Sequence, residues 1–203
     1  MIKNNNTKNR IELVALDLFS QKGYKAASIR EICRIVGIKE SSVYYHFKNK
    51  QAIMDALLAK IDFLIKAMKD KFNSEFSHAT EVSEEDMCEV AVGVLLNYLL
   101  NPYVYKMIAI LTIERMADSN ASTNYQRIVF ELPLLQQEQV FKQMIDRSYV
   151  RENSPIILAQ EYYAVIYFSF QKNCIGCELT EERKHIACEE IRKNIRDIYG
   201  KMR

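Results

Sequence analysis

Residues that form tight turns are scarce in this chain. Its 203 residues include five glycines and three prolines, and tryptophan is absent. Because β-sandwiches and barrels need frequent turn signals between short strands, this scarcity argues against an all-β fold and predicts long helices. The composition is otherwise that of a globular protein, with 49% hydrophobic and 27% charged residues, which excludes a wholly disordered chain.

Long apolar segments are also lacking. The longest run without a polar side chain, Val90–Leu96, has seven residues, whereas a membrane-spanning helix needs about 20. Residues Met1–Asn6 contain no apolar core of a signal peptide. The five cysteines are irregularly spaced and do not form a disulfide framework. We therefore expect a cytoplasmic protein with reduced thiols and no membrane partner.

Charge is distributed unevenly, although the net charge is only +2. Residues 1–50 carry ten basic and four acidic side chains, a balance of +6, so the other 153 residues sum to −4. A basic N-terminal quarter predicts contact with a polyanion such as nucleic acid. The alternative is a basic surface that is merely solvated.

The basic quarter contains the pattern of three helices. Apolar residues recur at helical spacing over about 8–22, and Ser28 with Glu31 forms a capping box that starts a short helix ending at Gly37. A second short helix covers about 40–47. Two short helices joined by a glycine turn fit the helix-turn-helix motif, whose second helix lies in the major groove. The alternative is a small three-helix bundle without a partner, and the hydroxyl-rich outer face of the third helix favours DNA.

This region resembles the DNA-binding domain of TetR/AcrR-family transcriptional regulators. The resemblance covers about residues 8–57, where many positions agree in order and spacing. The residues that carry it are Ala15-Leu16-Asp17-Leu18-Phe19, Gly23-Tyr24, Ser28-Ile29-Arg30-Glu31-Ile32, Gly37-Ile38 and Tyr44-Tyr45-His46-Phe47-Lys48-Asn49-Lys50. It implies an all-α fold with an N-terminal three-helix helix-turn-helix domain, residues 1–50, and a C-terminal helical ligand-binding and dimerisation domain, residues 51–203.

The resemblance also implies roles for individual residues at a double-stranded DNA operator. Ser28, Tyr44 and Lys50 are implied to contact phosphates, which position a protein without reading sequence. A helix N-terminus at Ser28 suits that role because its N–H groups and dipole favour an anion. Base reading is implied for the exposed first turns of the recognition helix, which carry Lys39, Glu40, Ser41, Ser42 and Tyr45.

Two residues depart from the family pattern. Lys39 stands where the family often has a small capping residue, so the recognition helix is expected to lack its usual cap. Glu40 places an acid beside the DNA. Three roles stay open for Glu40: a base reader, a substitute for the cap through the helix dipole, or a charge turned away from phosphate.

The rest of the chain is expected to be helical throughout. A long helix is predicted over 123–148, kinked at Pro133 because proline cannot donate to the helical ladder. The next helix begins at Pro155 and is apolar on nearly every face, which predicts burial all round. In the last helix, residues spaced by three and four from Cys188 to Met202 form an apolar seam.

That seam predicts packing against a partner helix or against the chain's own core. The resemblance favours the partner, because the last two helices of such regulators pair into a four-helix dimer interface; here they fall in residues 155–203. The interface residues implied are Ile166, Phe170, Cys188, Ile191, Ile195 and Ile198. A two-fold homodimer would set two recognition helices roughly 34–36 Å apart, matching a pseudo-palindromic site.

Aromatic and sulfur-bearing residues are concentrated in the middle of the chain and predict a pocket for a small apolar or aromatic effector. The candidate ligand-binding residues are Tyr98, Tyr103, Met107, Met116, Phe130, Phe141, Met144, Tyr163 and Tyr167. The alternative for each residue is that it fills the core.

Catalytic and metal-binding motifs are lacking. Cys174 and Cys177 form a C-x-x-C, but no second ligand pair is spaced for zinc and no βαβ context suggests thioredoxin chemistry. We therefore predict a protein that is not an enzyme and uses no metal or cofactor. The leading hypothesis is a ligand-released dimeric repressor. The alternatives are a thiol-based redox sensor using Cys174 and Cys177, and a DNA-binding regulator without a ligand.

Overall fold

The structure, a computed structural model, describes residues 2–77, 81–151 and 154–202. These ranges contain helices, turns and loops but no β-strand, so the predicted all-α fold is confirmed. The α-helices are α1 (Ile2–Lys22), α2 (Ile29–Val36), α3 (Glu40–His46), α4 (Lys50–Ser77), α5 (Glu84–Gly93), α6 (Pro102–Glu114), α7 (Ser119–Gln126), α8 (Leu132–Asp146), α9 (Pro155–Cys174) and α10 (Glu181–Met202).

Residue contacts divide the chain into two compact units. The first unit comprises residues 1–68 and 102–126, and the second comprises residues 69–101 and 127–203. Helices α6 and α7 therefore belong to the same unit as the three N-terminal helices. The predicted boundary after residue 50 divides a DNA-binding domain from a ligand-binding and dimerisation domain. That functional division stays a prediction.

The core of the first unit is built around α1. Ile11, Ala15 and Phe19 lie on one face of this helix at spacings of four residues, and all three are fully buried. Helices α2, α3 and α6 pack on α1. Ile32 and Val43 contribute the buried faces of α2 and α3 to the same unit.

The second unit is a layered packing of α5, α8, α9 and α10, in which α9 contacts the other three. Tyr162 and Phe170 of α9 are almost completely excluded from water. However, α9 is not buried all round as its apolar composition predicted, because Phe168 is 61% exposed and Ile157 is also exposed. One stripe of this helix therefore faces solvent in the single chain.

Two π-helical segments interrupt the helices of the second unit. The first π-segment is Val94–Leu99 and the second π-segment is Arg127–Glu131. The second π-segment and α8 replace most of the kinked helix predicted over 123–148. Pro133 lies just beyond the second π-segment, in the first turn of α8. Proline has no N–H for the carbonyl four or five residues earlier, which breaks the helical ladder at this point.

Tyrosine hydroxyls donate to backbone carbonyls at that break. The Tyr98 hydroxyl donates to the carbonyl of Ile128, and the Tyr163 hydroxyl donates to that of Val129, both at 2.6 Å. These are the carbonyls five and four residues before Pro133. The hydroxyls therefore supply hydrogen bonds that the proline cannot.

None of the helices in the described ranges is on its own both long enough and apolar enough to cross a membrane. The bent pair Glu84–Leu99 and Pro102–Glu114 meets the length and composition criteria jointly.

Candidate nucleic-acid interface

The α2–turn–α3 segment is fixed by local hydrogen bonds. The Ser28 hydroxyl accepts from the Glu31 N–H at 3.3 Å, and the Glu31 carboxylate accepts from the Ser28 N–H at 3.0 Å, which completes the predicted capping box. Gly37 ends α2 with a left-handed φ of 75°, and its N–H donates to Cys33. Glycine adopts this conformation without a Cβ penalty, so α3 can leave α2 through a tight turn.

The capping box also fixes a negative charge at the start of α2. Hydrogen bonds from Lys22 and from Ser28 lower the pKa of Glu31 to about 2, so this carboxylate is ionised at neutral pH. The helix dipole favours that charge in the first turn. The Lys22 ammonium pairs with it on the surface.

Helix α3 presents two different faces. Val43 and the following Phe47 are buried against the helical core, whereas Tyr44 is half exposed and Tyr45 is 73% exposed. The predicted base-reading residues Lys39, Glu40 and Ser41 are exposed, and Ser42 is partly exposed. The structure thus brings the predicted residues of the recognition helix together on one outward surface.

The two departures from the family pattern have distinct structural outcomes. Lys39 occupies the N-cap position of α3 and makes no side-chain capping hydrogen bond, as its type predicted. The Glu40 carboxylate accepts from Arg30 Nε at 3.1 Å. Arg30 lies at the start of α2 and its side chain is 86% exposed. The predicted contacts omitted Arg30, because pairing between α2 and α3 depends on the angle of the turn.

Lys50 is partly buried, and its ammonium is bound to backbone carbonyls of residues 24–27. Its ammonium donates to the carbonyls of Tyr24, Lys25 and Ala27 at 2.8, 3.4 and 2.9 Å. An ammonium has three N–H donors, so these bonds account for all of them. The predicted phosphate contact of Lys50 stays a prediction, and it would require breaking at least one of these bonds.

The predicted dimer-interface residues are largely buried in the single chain, and their role in a dimer stays a prediction. Ile166, Phe170, Ile191 and Ile195 are fully buried in the single chain, Cys188 is 6% exposed, and Ile198 is partly exposed. The seam of α10 packs on α9 and α5 of the same chain, which is the alternative that the sequence left open. The sequence showed which faces are apolar, but not whether the covering surface comes from the same chain.

The candidate ligand-binding residues belong to two different units of the chain. Tyr103, Met107 and Met116 belong to the first unit, where Met107 is fully buried but Met116 is 90% exposed. The exposed Met116 follows the end of α6 and does not line an enclosed pocket in the single chain, so its ligand contact stays a prediction. Tyr103 lies under the Lys60 ammonium, 4.5 Å from the ring centroid.

The remaining candidates lie in the second unit. Phe141 and Met144 are core residues, as the alternative predicted. Tyr98 and Tyr163 are buried and donate to the second π-segment. Phe130 and Tyr167 are only partly buried, and their rings meet edge to face with centroids 4.9 Å apart.

The C-x-x-C pair shows no activated thiol at Cys174. This residue is fully buried, and burial raises its pKa to about 11, with Cys177 and Cys188 adding to the shift. Cys177 is half-buried and its thiol donates to the Asn173 carbonyl. In the described ranges no group of three His, Cys, Asp or Glu side chains is placed to hold a metal ion.

Comparison with known proteins identifies the family of the N-terminal helices. A family profile described as "Bacterial regulatory proteins, tetR family" matches residues 13–57. This helix-turn-helix domain is that of the TetR family. The matched residues cover α2, α3 and the turn between them, so the helix-turn-helix is the part of the chain that carries the relationship.

Two sequence relatives match about a third of the chain or less. It is 35% identical over 71 residues to IcaR of Staphylococcus epidermidis, the HTH-type negative transcriptional regulator of the biofilm operon icaADBC, covering 32% of this chain and 38% of that protein. It is 42% identical over 48 residues to IcaR of Staphylococcus aureus strain Newman, covering 24% and 26%. The chain thus matches well under half the length of these curated relatives.

Solved structures match the fold over nearly the whole length. A chain described as a TetR-family transcriptional regulator from Mesorhizobium loti has a TM-score of 0.75 at 15% identity and covers 97% of this chain and 96% of its own. FadR from Bacillus subtilis in complex with stearoyl-CoA has a TM-score of 0.66 at 12% identity, with coverage of 92% and 96%. SmeT in complex with triclosan has a TM-score of 0.67 at 19% identity, with coverage of 92% and 90%.

Proposed function

We propose that this chain binds double-stranded DNA as a homodimer and represses transcription from a pseudo-palindromic operator until a small apolar or aromatic ligand releases it. The observation that carries the proposal is the two-faced helix α3, with Val43 and Phe47 buried and Tyr44 and Tyr45 outward. A capped α2 and a glycine turn support this helix in the geometry of a helix-turn-helix. The basic N-terminal quarter would supply the electrostatic attraction to phosphates.

Two kinds of DNA contact follow from the exposed surface. Ser28 and Tyr44 would contact phosphates, with the N–H groups at the start of α2 adding to the attraction. Base edges would be read from the first turns of α3, by Lys39, Ser41, Ser42 and Tyr45. Lysine suits guanine, and the tyrosine ring can press on a thymine methyl.

The Arg30–Glu40 pair belongs to the same surface. Glu40 accepts from Arg30 Nε, so it orients the guanidinium rather than acting as a cap for α3. This supports the third of its open roles, a charge turned away from phosphate. The outward guanidinium of Arg30 would then add a basic contact beside the recognition helix.

The homodimer would form through the outer stripe of α9 with α10. Phe168 is the most exposed large apolar residue of α9, and Ile157 of α9 and Ile186 of α10 are about half exposed. Large apolar side chains left in water by a single chain suit an isologous contact between identical copies. This surface replaces the buried seam residues as the proposed interface.

A repressor released by a ligand is the mode that the similar proteins support. IcaR is named a negative regulator, and the two fold neighbours above hold stearoyl-CoA and triclosan. Both ligands have large apolar or aromatic parts. A ligand that binds better to a conformer with wrongly spaced recognition helices would lower operator affinity, by no more than its preference for that conformer.

Selection of duplexes from a random DNA pool tests the proposal. The expected result is enrichment of a pseudo-palindrome whose half-sites are about one helical turn apart. Tyr45→Ala and Ser42→Ala should change which bases are preferred, whereas uniform weakening would make these residues backbone contacts. Failure to bind any duplex at low ionic strength would contradict the proposal.

Ligand release is tested on the selected duplex. Triclosan and stearoyl-CoA are suitable probes because they sample an aromatic and an acyl-chain ligand. Release by either would support a ligand-responsive regulator. Binding that withstands both probes and an extract of small metabolites would favour the regulator without a ligand.

A further inference from the structure

The turn between α1 and α2 lies between a cation and an anion of the same unit. On one side is Lys50, at the start of α4, whose ammonium binds three carbonyls of residues 24–27. The ammonium also lies 4.3 Å from the centre of the Tyr24 ring. The carbonyl ends of the turn are therefore directed at a positive charge.

On the other side is Glu114, the last residue of α6. Its side chain is 9% exposed, and its Oε1 accepts from the Lys25 backbone N–H at 3.1 Å. Its Oε2 lies 3.9 Å from Lys25 Nζ, which is largely in solvent. A carboxylate so far removed from water is costly unless hydrogen bonds compensate it, and the turn supplies one.

Glycine at position 23 allows this approach. Gly23 has a left-handed φ of 87°, and a Cβ there would lie 2.9 Å from Glu114 Oε1 and 3.1 Å from a methyl group of Ile113. Both distances are shorter than ordinary contacts. Any side chain at this position would therefore strain the backbone and displace the Glu114 carboxylate from the turn.

The two charges act on each other through the turn. Burial lowers the pKa of Lys50, and the charge of Glu114 opposes that shift. The peptide groups between them present N–H to the carboxylate and C=O to the ammonium. Each charge is thus compensated by oriented backbone dipoles, and removing either leaves the other less well compensated.

Helix α6 is joined to the N-terminal helices at two further points. Lys106 pairs with Asp17 of α1. At the start of α6, Tyr103 packs against Lys60 of α4. The contacts of α6 with α1 and α4 therefore extend along the helix, and at its end Glu114 meets the turn that precedes Ser28.

We propose that Glu114 is a positioning residue for DNA binding, which together with Lys50 holds residues 23–27 so that Ser28 and α2 are presented to phosphate. This inference rests on the proposed function. Neither charge touches DNA in this arrangement. Lys50 thereby acts through the turn rather than as a phosphate contact.

Substitution of Glu114 in the full-length protein tests this anchor, the hydrogen bond from the Lys25 N–H to the Glu114 carboxylate. Glu114→Ala removes the acceptor for the Lys25 N–H and should weaken binding to the selected duplex about tenfold. Glu114→Gln keeps an acceptor oxygen and should recover most of that loss. Glu131→Gln, an exposed carboxylate of the second unit, is the charge-matched control and should bind as the wild type. Equal binding by wild type and Glu114→Ala would overturn the proposal.

The salt dependence of Lys50→Met distinguishes positioning from phosphate contact. A direct contact adds about one unit to the slope of log affinity against log salt concentration. We expect weaker binding of Lys50→Met with an unchanged slope. A slope reduced by about one unit would show a direct phosphate contact. It would refute the proposal that Lys50 acts by holding residues 23–27.

Hydrogen exchange without DNA separates this inference from the proposed function. The amide of Lys25 should lose protection in Glu114→Ala and retain it in Glu114→Gln and Glu131→Gln, at a temperature where each variant is folded. Unchanged protection in Glu114→Ala would refute the anchor even if DNA binding were normal. A wild type that protects the Lys25 amide but binds no DNA would instead refute the proposed function. The positioning role of Glu114 would fall with it, and only its structural contact with the turn would remain.

Discussion

Tyrosine has opposite roles in the two parts of this molecule. Tyr44 and Tyr45 point outward from α3, with Tyr45 73% exposed. In the second unit, Tyr162 and Tyr163 are buried, and their hydroxyls donate to the carbonyls of Met87 and Val129, each at 2.6 Å. The difference follows from available backbone acceptors. The short α3 leaves its outer face to solvent, whereas the second unit offers buried carbonyls of α5 and of the second π-segment as acceptors.

The largest expected effect comes from removing a buried tyrosine. Tyr162→Ala should lower the free energy of unfolding by about 3–5 kcal/mol, because it leaves a cavity beside Phe141 and removes the donor to the Met87 carbonyl. Thermal or urea denaturation measures this. Tyr45→Ala is the matched control and should stay within about 0.5 kcal/mol of the wild type. Similar losses of unfolding free energy in both variants would refute the contrast between the buried and the outward tyrosines.

The same contrast between outward and inward surfaces applies to α9. Phe168→Glu should separate the homodimer with a loss of about 2 kcal/mol or more of association free energy, since a charge replaces an apolar contact. Sedimentation velocity measures the mass. Leu135→Glu is the control, because Leu135 is 53% exposed on α8 of the same unit. If both variants remained dimeric, α9 would not form the interface.

A smaller effect is expected from a single hydroxyl. Tyr163→Phe should cost about 1–2 kcal/mol, because the buried Val129 carbonyl loses a donor. Pro133→Ala restores an N–H four residues after Val129. The same Tyr163→Phe change should therefore cost less in a Pro133→Ala background, as a double-mutant cycle in denaturant can measure. Equal costs in both backgrounds would show that the Tyr163 hydroxyl does not compensate for the N–H that Pro133 lacks.

The smallest expected effect is on thiol chemistry. With a pKa of about 11, Cys174 holds only about one thousandth of its thiol as thiolate at pH 8. Iodoacetamide should therefore modify Cys174 in the folded protein far more slowly than in the unfolded protein, while the half-buried Cys177 reacts first. Mass spectrometry of timed digests measures this. Rapid modification of Cys174, or altered DNA binding after mild oxidation that Cys174→Ser abolishes, would favour the redox sensor.

The helix-turn-helix was predictable because its signals are local. The Ser28–Glu31 capping box and the left-handed Gly37 act within one helical turn, and the structure shows both. The missing cap at Lys39 was predictable for the same reason. The pair between Arg30 and Glu40 was not, since it joins two helices across a turn whose angle the sequence does not state.

The second unit depends on longer-range information. The spacing of the α10 seam marked an apolar face, but Ile191 and Ile195 are covered by the same chain, and periodicity does not reveal which surface covers a face. Pro133 predicted a break, whereas the π-segment and its tyrosine donors arise from helices distant in sequence. The grouping of α6 with the N-terminal helices is likewise a property of packing, and so is the contact of Glu114 with the turn before Ser28.

The most direct test of the account is the composition of the complex formed with the selected duplex. Sedimentation velocity with labelled DNA gives the number of chains bound to each duplex. Two chains on a pseudo-palindrome, and a sharp loss of that species when one half-site is scrambled, are the predicted results. A complex with a single chain, or no complex at low ionic strength, would contradict the claim that a homodimer holds two recognition helices at the spacing of two half-sites.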